Sequence, residues 1–305
     1  MAGLRFGMKI VGLILSLVYV FGATNLRSAE TPVKKEVSQQ HSLWKIQGKT
    51  NAVYLLGSVH VLSKSSYPLP QPIESAYSNS STLVFEADIA EMKDPNNAMK
   101  LLSRATLPEG KTLEREVSPE IYKAFTNHVV AAGFPLFMLE RFKPGMAAMT
   151  LEVLESQKMG LDPEHGVDNY FFQKAKEDSK ETIPLETLEF QTGLITDLSK
   201  EEGELMLKIT LKEIDTVKNQ ITDIVGAWSN GDSSKLDKLL NEVKDEAPAL
   251  TKKLITDRNE RWTPRIEQWL KEDRAVLVIV GAGHLVGKEG VVELLRKKGW
   301  KVSQL

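Results

Sequence analysis

Apolar residues gather into short unbroken runs at both ends of this chain and spread into a helical period between them. SLWKIQG and NAVYLLGS, separated by a polar break at Gln47–Asn51, predict a hairpin. Pro68, Pro70 and Pro72 mark a loop, and a short helix is predicted over Ile73–Ser78. STLVFEADI, Ser81 to Ile89, predicts a strand that carries Glu86 and Asp88 at its end. Near the C-terminus a strand is predicted over Val276–Val280, then a GAGH turn, a helix over Lys288–Lys298 and a closing strand over Lys301–Leu305. Strand–helix–strand order at each end predicts parallel pairing through helical crossovers.

Between about residues 95 and 270 the period is helical. Ser118-Pro119-Glu120 predicts a helix start, with Ser118 as cap and Pro119 at the first position. Further helices are predicted over Phe134–Glu140, Pro144–Lys158, from Gly166–Asp168 onward, and from Leu188. Thr182–Leu185 predicts a short strand inside this region, and two long charged helices are predicted over Lys200–Asn230 and Ser233–Trp269. The expected fold class is therefore α/β: a mixed, largely parallel central sheet drawn from both chain ends, with a large helical insert.

The first residues change the picture of where the protein works. Arg5 and Lys9 precede the apolar run Ile10–Gly22, which has the length of a signal peptide and is shorter than a usual membrane span. Residues 1–29 are expected to be an export signal or an N-terminal membrane anchor, residues 30–41 a polar linker, and residues 42–305 a single domain. The expected location is periplasmic or extracellular, with membrane association through the N-terminal segment as the variant of that reading.

Composition narrows the chemistry. A formal net charge of −2 gives no chain-wide cationic field for nucleic acid, and no nucleic-acid partner is expected. The absence of cysteine excludes disulfides, thiolate nucleophiles and cysteine-held metals. A metal must be held by His, Asp, Glu or other oxygen ligands.

Two of the five histidines share one setting: an apolar strand, a glycine, two residues, then His60 or His284. Glycine at such a point lets the backbone turn sharply or lets another group approach closely. In parallel sheets, sites form beyond the carboxyl ends of the strands, where His60, Glu86 and His284 all fall. Two imidazoles and a carboxylate make a face for a divalent cation, with Glu86 as ligand or general base. The plain alternative for each is a hydrogen-bonded structural residue. GAGH lacks the third glycine and distal acid of a dinucleotide fingerprint. Ser58 has no partnered Asp–His pattern, so a serine triad is not expected. His165 and Asp168 in EHGVD, Glu186 and Gln191 in LETLEFQ, and Arg258 and Asn259 in DRNERW form a second tier. Trp262, Trp269 and Trp300 are expected to be packing residues.

The ordered set LW, YLLGSVHVL, LVFEAD, GVDNYF, LETLEFQ, RNERW and VGAGHLVG, from about Leu43 to Val302, resembles the TraB/PrgY/GumN family, in its bacterial GumN-like branch. The Tiki metalloproteases belong to that family. The resemblance implies a core related to the erythromycin-esterase and ChaN-like fold. It implies a metal-dependent hydrolytic site, with His60, His284 and Glu86 toward the ion. Asp168, Glu186, Gln191, Arg258 and Asn259 also fall in family motifs. Tiki members cleave peptides and need divalent cations such as manganese or cobalt; zinc is a further candidate here. A peptide or protein substrate is the implied partner. The rival expectation is a non-catalytic exported protein that holds a peptide, a haem or a metal in the same cleft. One departure is Gly145 after Lys143-Pro144, where the family often has tryptophan.

Overall fold

In the computed structural model the described residues are 40–305 except Asp215 and Glu242, so the expected signal and most of the linker lie outside them. Six strands form one sheet in the order β4-β3-β5-β2-β1-β6. They are β1 Leu43–Gln47, β2 Ala52–Ser58, β3 Thr82–Phe85, β4 Glu181–Pro184, β5 Val276–Gly281 and β6 Val302–Gln304. β2, β5, β3 and β4 pair in parallel, and β1 runs antiparallel between β2 and β6. β3 and β5 are buried at every position and β2 at all but Ala52, as expected of strands covered on both faces.

Helices cover the sheet and build the insert. The ones needed here are α1 Gln71–Asn79, α2 Ile89–Met92, α3 Pro95–Ala105, α4 Pro119–Ala131, α5 Pro144–Lys158, α6 Val167–Glu177, α7 Leu188–Thr196, α8 Lys200–Glu213, α9 Val217–Ser229, α10 Ser233–Asn241, α11 Asp257–Trp269 and α12 Val291–Lys297. Two apolar clusters result. One packs on the sheet, with Leu55, Val84, Val278 and Trp262 among its members. The other lies within the insert around Phe125, Met146, Leu151 and Leu207.

The structure differs from expectation at several points. The strand predicted over Ser81–Ile89 stops at Phe85, because Asp88 accepts from the backbone N–H groups of Ala90 and Glu91 and caps α2. The sheet is not drawn from the chain ends alone: the insert supplies edge strand β4. Neither long charged helix is continuous. Lys200–Asn230 divides into α8 and α9, with the Thr216 N–H closing a tight turn on the Glu213 carbonyl at 2.8 Å. Ser233–Trp269 is broken at Ala247 (φ −138°, ψ 62°), since Pro248 disfavours helical geometry in the residue before it. Ser118 occupies the cap position before α4, but its side chain makes no capping bond.

Candidate active site

Register places the sequence candidates at one edge. Ser58 lies opposite Gly281 and Phe85 opposite Ile279 on central β5, while Pro184 lies opposite Phe85. His60, Glu86, Glu186 and His284 therefore leave four neighbouring strands at the same level, just past their carboxyl ends. The ladder continues beyond β3 and β4: Leu185 N–H donates to the Phe85 carbonyl and Glu186 N–H to the Glu86 carbonyl, both at 2.8 Å. That pairing sets two acids side by side. The loop carrying His60 is tied to the start of α6 by a bond from Val167 N–H to the Val59 carbonyl, 3.1 Å. A Cβ on Gly166 would lie 2.5 Å from the His60 carbonyl oxygen, so only glycine permits this crossing. At Gly57 the constraint is again close approach. A Cβ there would stand 3.1 Å from Ala282, which is a packing limit and not the sharp turn expected at a strand end.

Arg258 is the hub. It enters on the first turn of α11, directly after a π-helical turn over Lys252–Thr256, and its side chain is fully buried. Nε donates to both Glu186 oxygens at 3.1 and 3.0 Å. Nη2 donates to Glu186 Oε2 at 2.9 Å and to Glu86 Oε2 at 2.5 Å. Nη1 donates to the Leu254 carbonyl at 3.1 Å and to His284 Nε2 at 3.0 Å. Glu86 also accepts from Gly281 N–H at 2.7 Å and from Gln191 Nε2 at 3.2 Å.

The tautomer of His284 follows. A guanidinium only donates, so Nε2 of His284 accepts from it and the ring proton sits on Nδ1. Nδ1–H donates to Asn259 Oδ1 at 2.7 Å, while Asn259 Nδ2 donates to the Glu289 carbonyl at 2.8 Å and fixes the amide. His60 is held the same way: Nδ1–H donates to Asp168 Oδ2 at 2.6 Å. Each imidazole thus has Nδ1 fastened to an oxygen acceptor. The other Asp168 oxygen, Oδ1, is buried with no hydrogen-bond partner.

Burial and charge tune these groups in different directions. Burial alone would raise Glu86, but the Arg258 charge foremost, with both histidines and the Gly281 N–H, holds it at about 2. Burial and the adjacent guanidinium push His284 down to about 3, so it is neutral. His60 moves up, because the Asp168 charge and hydrogen bond outweigh burial. Burial raises Glu186, with Glu86 adding to it and Arg258 opposing. With His284 neutral, two carboxylates (Glu86, Glu186) face one buried guanidinium, a formal −1, while Asp168 is matched to His60, on which it favours a proton. Arg261, half exposed and 3.6 Å from Glu186, offsets part of it.

The structure joins Glu86, Glu186, Gln191, Arg258, Asn259 and His284 in one hydrogen-bonded network and sets the His60–Asp168 pair near it, where His60 feels the charges of Glu86 and Arg258. His165 does not join it through its side chain; its carbonyl accepts from Tyr67 instead. Trp262 is more than the packing residue expected. Its Nε1–H donates to Glu186 Oε1 at 3.1 Å, and its ring lies 4.5 Å from that of His284. The contact of its ring with the Arg258 guanidinium, 4.6 Å, was legible as a spacing of four on one helix. The Gly281 N–H and the Leu254 and Glu289 carbonyls are backbone groups, which no side-chain pattern announces. Among the described residues no three of His, Asp and Glu stand together at metal-holding distances. His284 Nε2 lies 3.9 Å from Glu86 Oε1.

The TraB/PrgY/gumN family profile matches residues 42–304. The chain belongs to this family. It is 28% identical to the uncharacterized protein YbaP of Escherichia coli, over 80% of this chain and 87% of that protein. It is 22% identical to Metalloprotease TIKI2 of Danio rerio, over 97% of this chain and 68% of that protein. With Metalloprotease TIKI1 of Homo sapiens the identity is 24%, over 92% and 66%. No solved structure matches the chain.

Proposed function

We propose that this protein is an exported, metal-dependent hydrolase of peptides, and that the network at the sheet edge is its active site. The observation that carries this reading is the matched fastening of two histidines. Nδ1 of His60 goes to Asp168 and Nδ1 of His284 to Asn259. Metal-binding histidines characteristically donate their other ring N–H to such a partner, which fixes the tautomer and presents Nε2. Two further features fit a cation: the excess negative charge of the buried acids, and the partnerless buried Oδ1 of Asp168. The names of the Tiki relatives agree with it. The erythromycin-esterase and ChaN-like arrangement, and one domain over residues 42–305, are part of the same proposal.

His60, His284 and Glu86 would hold the ion; manganese, cobalt and zinc are the candidates. A bound divalent ion supplies an acidified water and a polarised carbonyl. Glu86, held at about 2, is ionised at any physiological pH and is an acceptor only. Arg258 now contacts both His284 Nε2 and Glu86, and its Nε and Nη2 bonds to Glu186 give it a second place to rest. Held there, a guanidinium can steady negative charge on a substrate oxygen. Asp168 orients His60 and supports a proton on it, and Asn259 does the orienting for His284 without adding charge.

The Arg258 contacts favour a second reading, in which the network is closed for good and the cleft binds a peptide or haem without chemistry. Titration calorimetry with manganese, cobalt and zinc on the exported portion separates the two. Binding of one ion by the wild type, lost in His60→Ala and His284→Ala, followed by cleavage of fluorogenic peptides, supports the hydrolase. No binding by the wild type, or equal binding by folded variants, ends it.

A further inference from the structure

A cavity of about 650 Å³ adjoins the network and is used by none of the chemistry above. It lies between α2, α3, α5 and α7. Its walls are apolar in the larger part, through Met92, Leu101, Met146, Met149, Leu188 and Ile195, with Asn97, Ser103, Gln191 and Thr192 as uncharged polar members. Its mouth carries both signs, Glu91 and Glu189 against Lys100 and Arg104. Arg104 bonds Asp197 at 2.7 Å and Glu189 at 3.4 Å, which joins α3 to α7 across one end. The link to the site is Gln191. It lines the cavity, and its Nε2 donates to Glu86 Oε2 at 3.2 Å. One residue thus belongs to both spaces.

The chemistry of the walls selects a ligand class. A volume of this size falls within the roughly 300–1,000 Å³ of ordinary ligand sites. The apolar part of the walls offers no partner to a phosphate or to most hydroxyls of a sugar, and burying those groups unpaired is costly. Three methionines make the walls polarizable and adaptable, suited to a range of apolar side chains and not to one shape. A mouth of mixed charge suits a peptide backbone with polar neighbours better than a free hydrocarbon.

We propose that this cavity is a substrate subsite that seats apolar side chains of a peptide next to the bond acted on beyond Gln191. The proposal rests on the hydrolase reading for the word substrate, but its binding half can be tested without catalysis. The probes are fluorescently labelled decapeptide pools with a central Leu, Met or Phe, and matched pools with Asp, Lys or Gly. Ala98 is exposed on α3 and Thr192 half-buried on α7, and both line the cavity, so Ala98→Trp and Thr192→Trp fill it from opposite walls without entering the core. Anisotropy in excess chelator should show apolar pools binding about tenfold or more tighter than polar pools. Either tryptophan variant, with its melting temperature unchanged, should erase that difference. With metal added, apolar pools should be cleaved with the lower KM. Preferential binding without cleavage keeps the subsite and removes the peptidase. Cleavage with no apolar preference, or a preference untouched by both variants, overturns the subsite and leaves the hydrolase. Binding of no pool at all overturns the subsite.

Discussion

At the carboxyl edge of the sheet, two buried acids, Glu86 and Glu186, are gathered around Arg258, and every Glu86 oxygen has a donor. In the helical insert another buried acid is treated differently. Glu152 on α5 is 1% exposed, is charge-coupled to Glu213, and accepts one bond at 3.3 Å from Thr210, while its Oε2 has no hydrogen-bond partner. The physical result is opposite. Glu86 sits at about 2, whereas burial, aided by Glu213, raises Glu152 well above the ordinary carboxylate value. A buried carboxylate with a fixed cation stays charged and rigid; one without takes a proton and behaves as a neutral donor. The edge network is built to keep charge in place, and the insert tolerates an acid by discharging it.

The comparison breaks hardest at Arg258. Arg258→Met leaves Glu86 and Glu186 buried without their cation, and removing one partner of a buried pair costs about 3–5 kcal/mol. Urea unfolding at pH 7 measures it. Adding Glu86→Gln and Glu186→Gln to that variant should recover much of the loss, since no uncompensated charge then remains. Full stability in Arg258→Met alone would mean that the acids are not ionised as argued.

pH sharpens the contrast, because the two regions have opposite signs. His284 is lowered from an ordinary 6.5 to about 3 and Glu86 from 4.5 to about 2. Below pH 6.5 the unfolded chain takes up a proton on His284 that the folded edge refuses, and below 4.5 it takes another on Glu86. Stability from the edge is therefore lost stepwise between about pH 6.5 and 2, by several kcal/mol in total. His60, raised in the fold, contributes in the other sense, being present below 6.5 and lost as pH rises through its folded value. Glu152 and, at the edge, Glu186 are also raised, so their shares are present below 4.5 and lost above; at the edge the larger shifts of His284 and Glu86 outweigh that of Glu186. Hydrogen exchange at pH 4 and pH 7 reads both: β5 amides should open more readily in acid and α5 amides less readily. Parallel loss of protection in both elements would contradict it.

Glu152→Gln isolates the insert. The amide needs no proton, so the variant should gain about 1–2 kcal/mol at pH 7 and nearly nothing at pH 4, where the carboxyl is already neutral. Equal effects at both pH values would place the gain outside ionisation.

How much of this was legible differs between the same two regions. At the edge, unbroken apolar runs located β2, β3 and β5, and their carboxyl ends located His60, Glu86 and His284, because a parallel sheet aligns strand ends. Arg258 and Asn259 could be read as candidates but not as partners: α11 reaches the edge only after the break at Pro248 and the π turn, and nothing in residue spacing fixes that path. The insert was the harder part. Its lysines and glutamates masked the ends of α8 and α9, and nothing in the sequence marked Glu152 or Glu213 as buried. Burial of an acid is set by which helix packs over it, which is tertiary information.

Trp262 gives the smallest test and bears on the edge alone. Its Nε1–H is one of several donors to Glu186, so Trp262→Phe keeps the ring over His284 and removes a single hydrogen bond. The expected cost is about 1 kcal/mol. The loss should fall on Glu186 and not on Glu86, since the guanidinium still holds both. The imidazole resonances of His284 should then keep their neutral pattern down to pH 5, while an added Asn259→Ala, which takes away the acceptor for Nδ1–H, should change them. If Trp262→Phe alone makes His284 titrate near 6.5, the part of the indole that a phenyl ring does not replace, by excluding water, is what keeps the histidine neutral, and the role given to Arg258 must shrink accordingly.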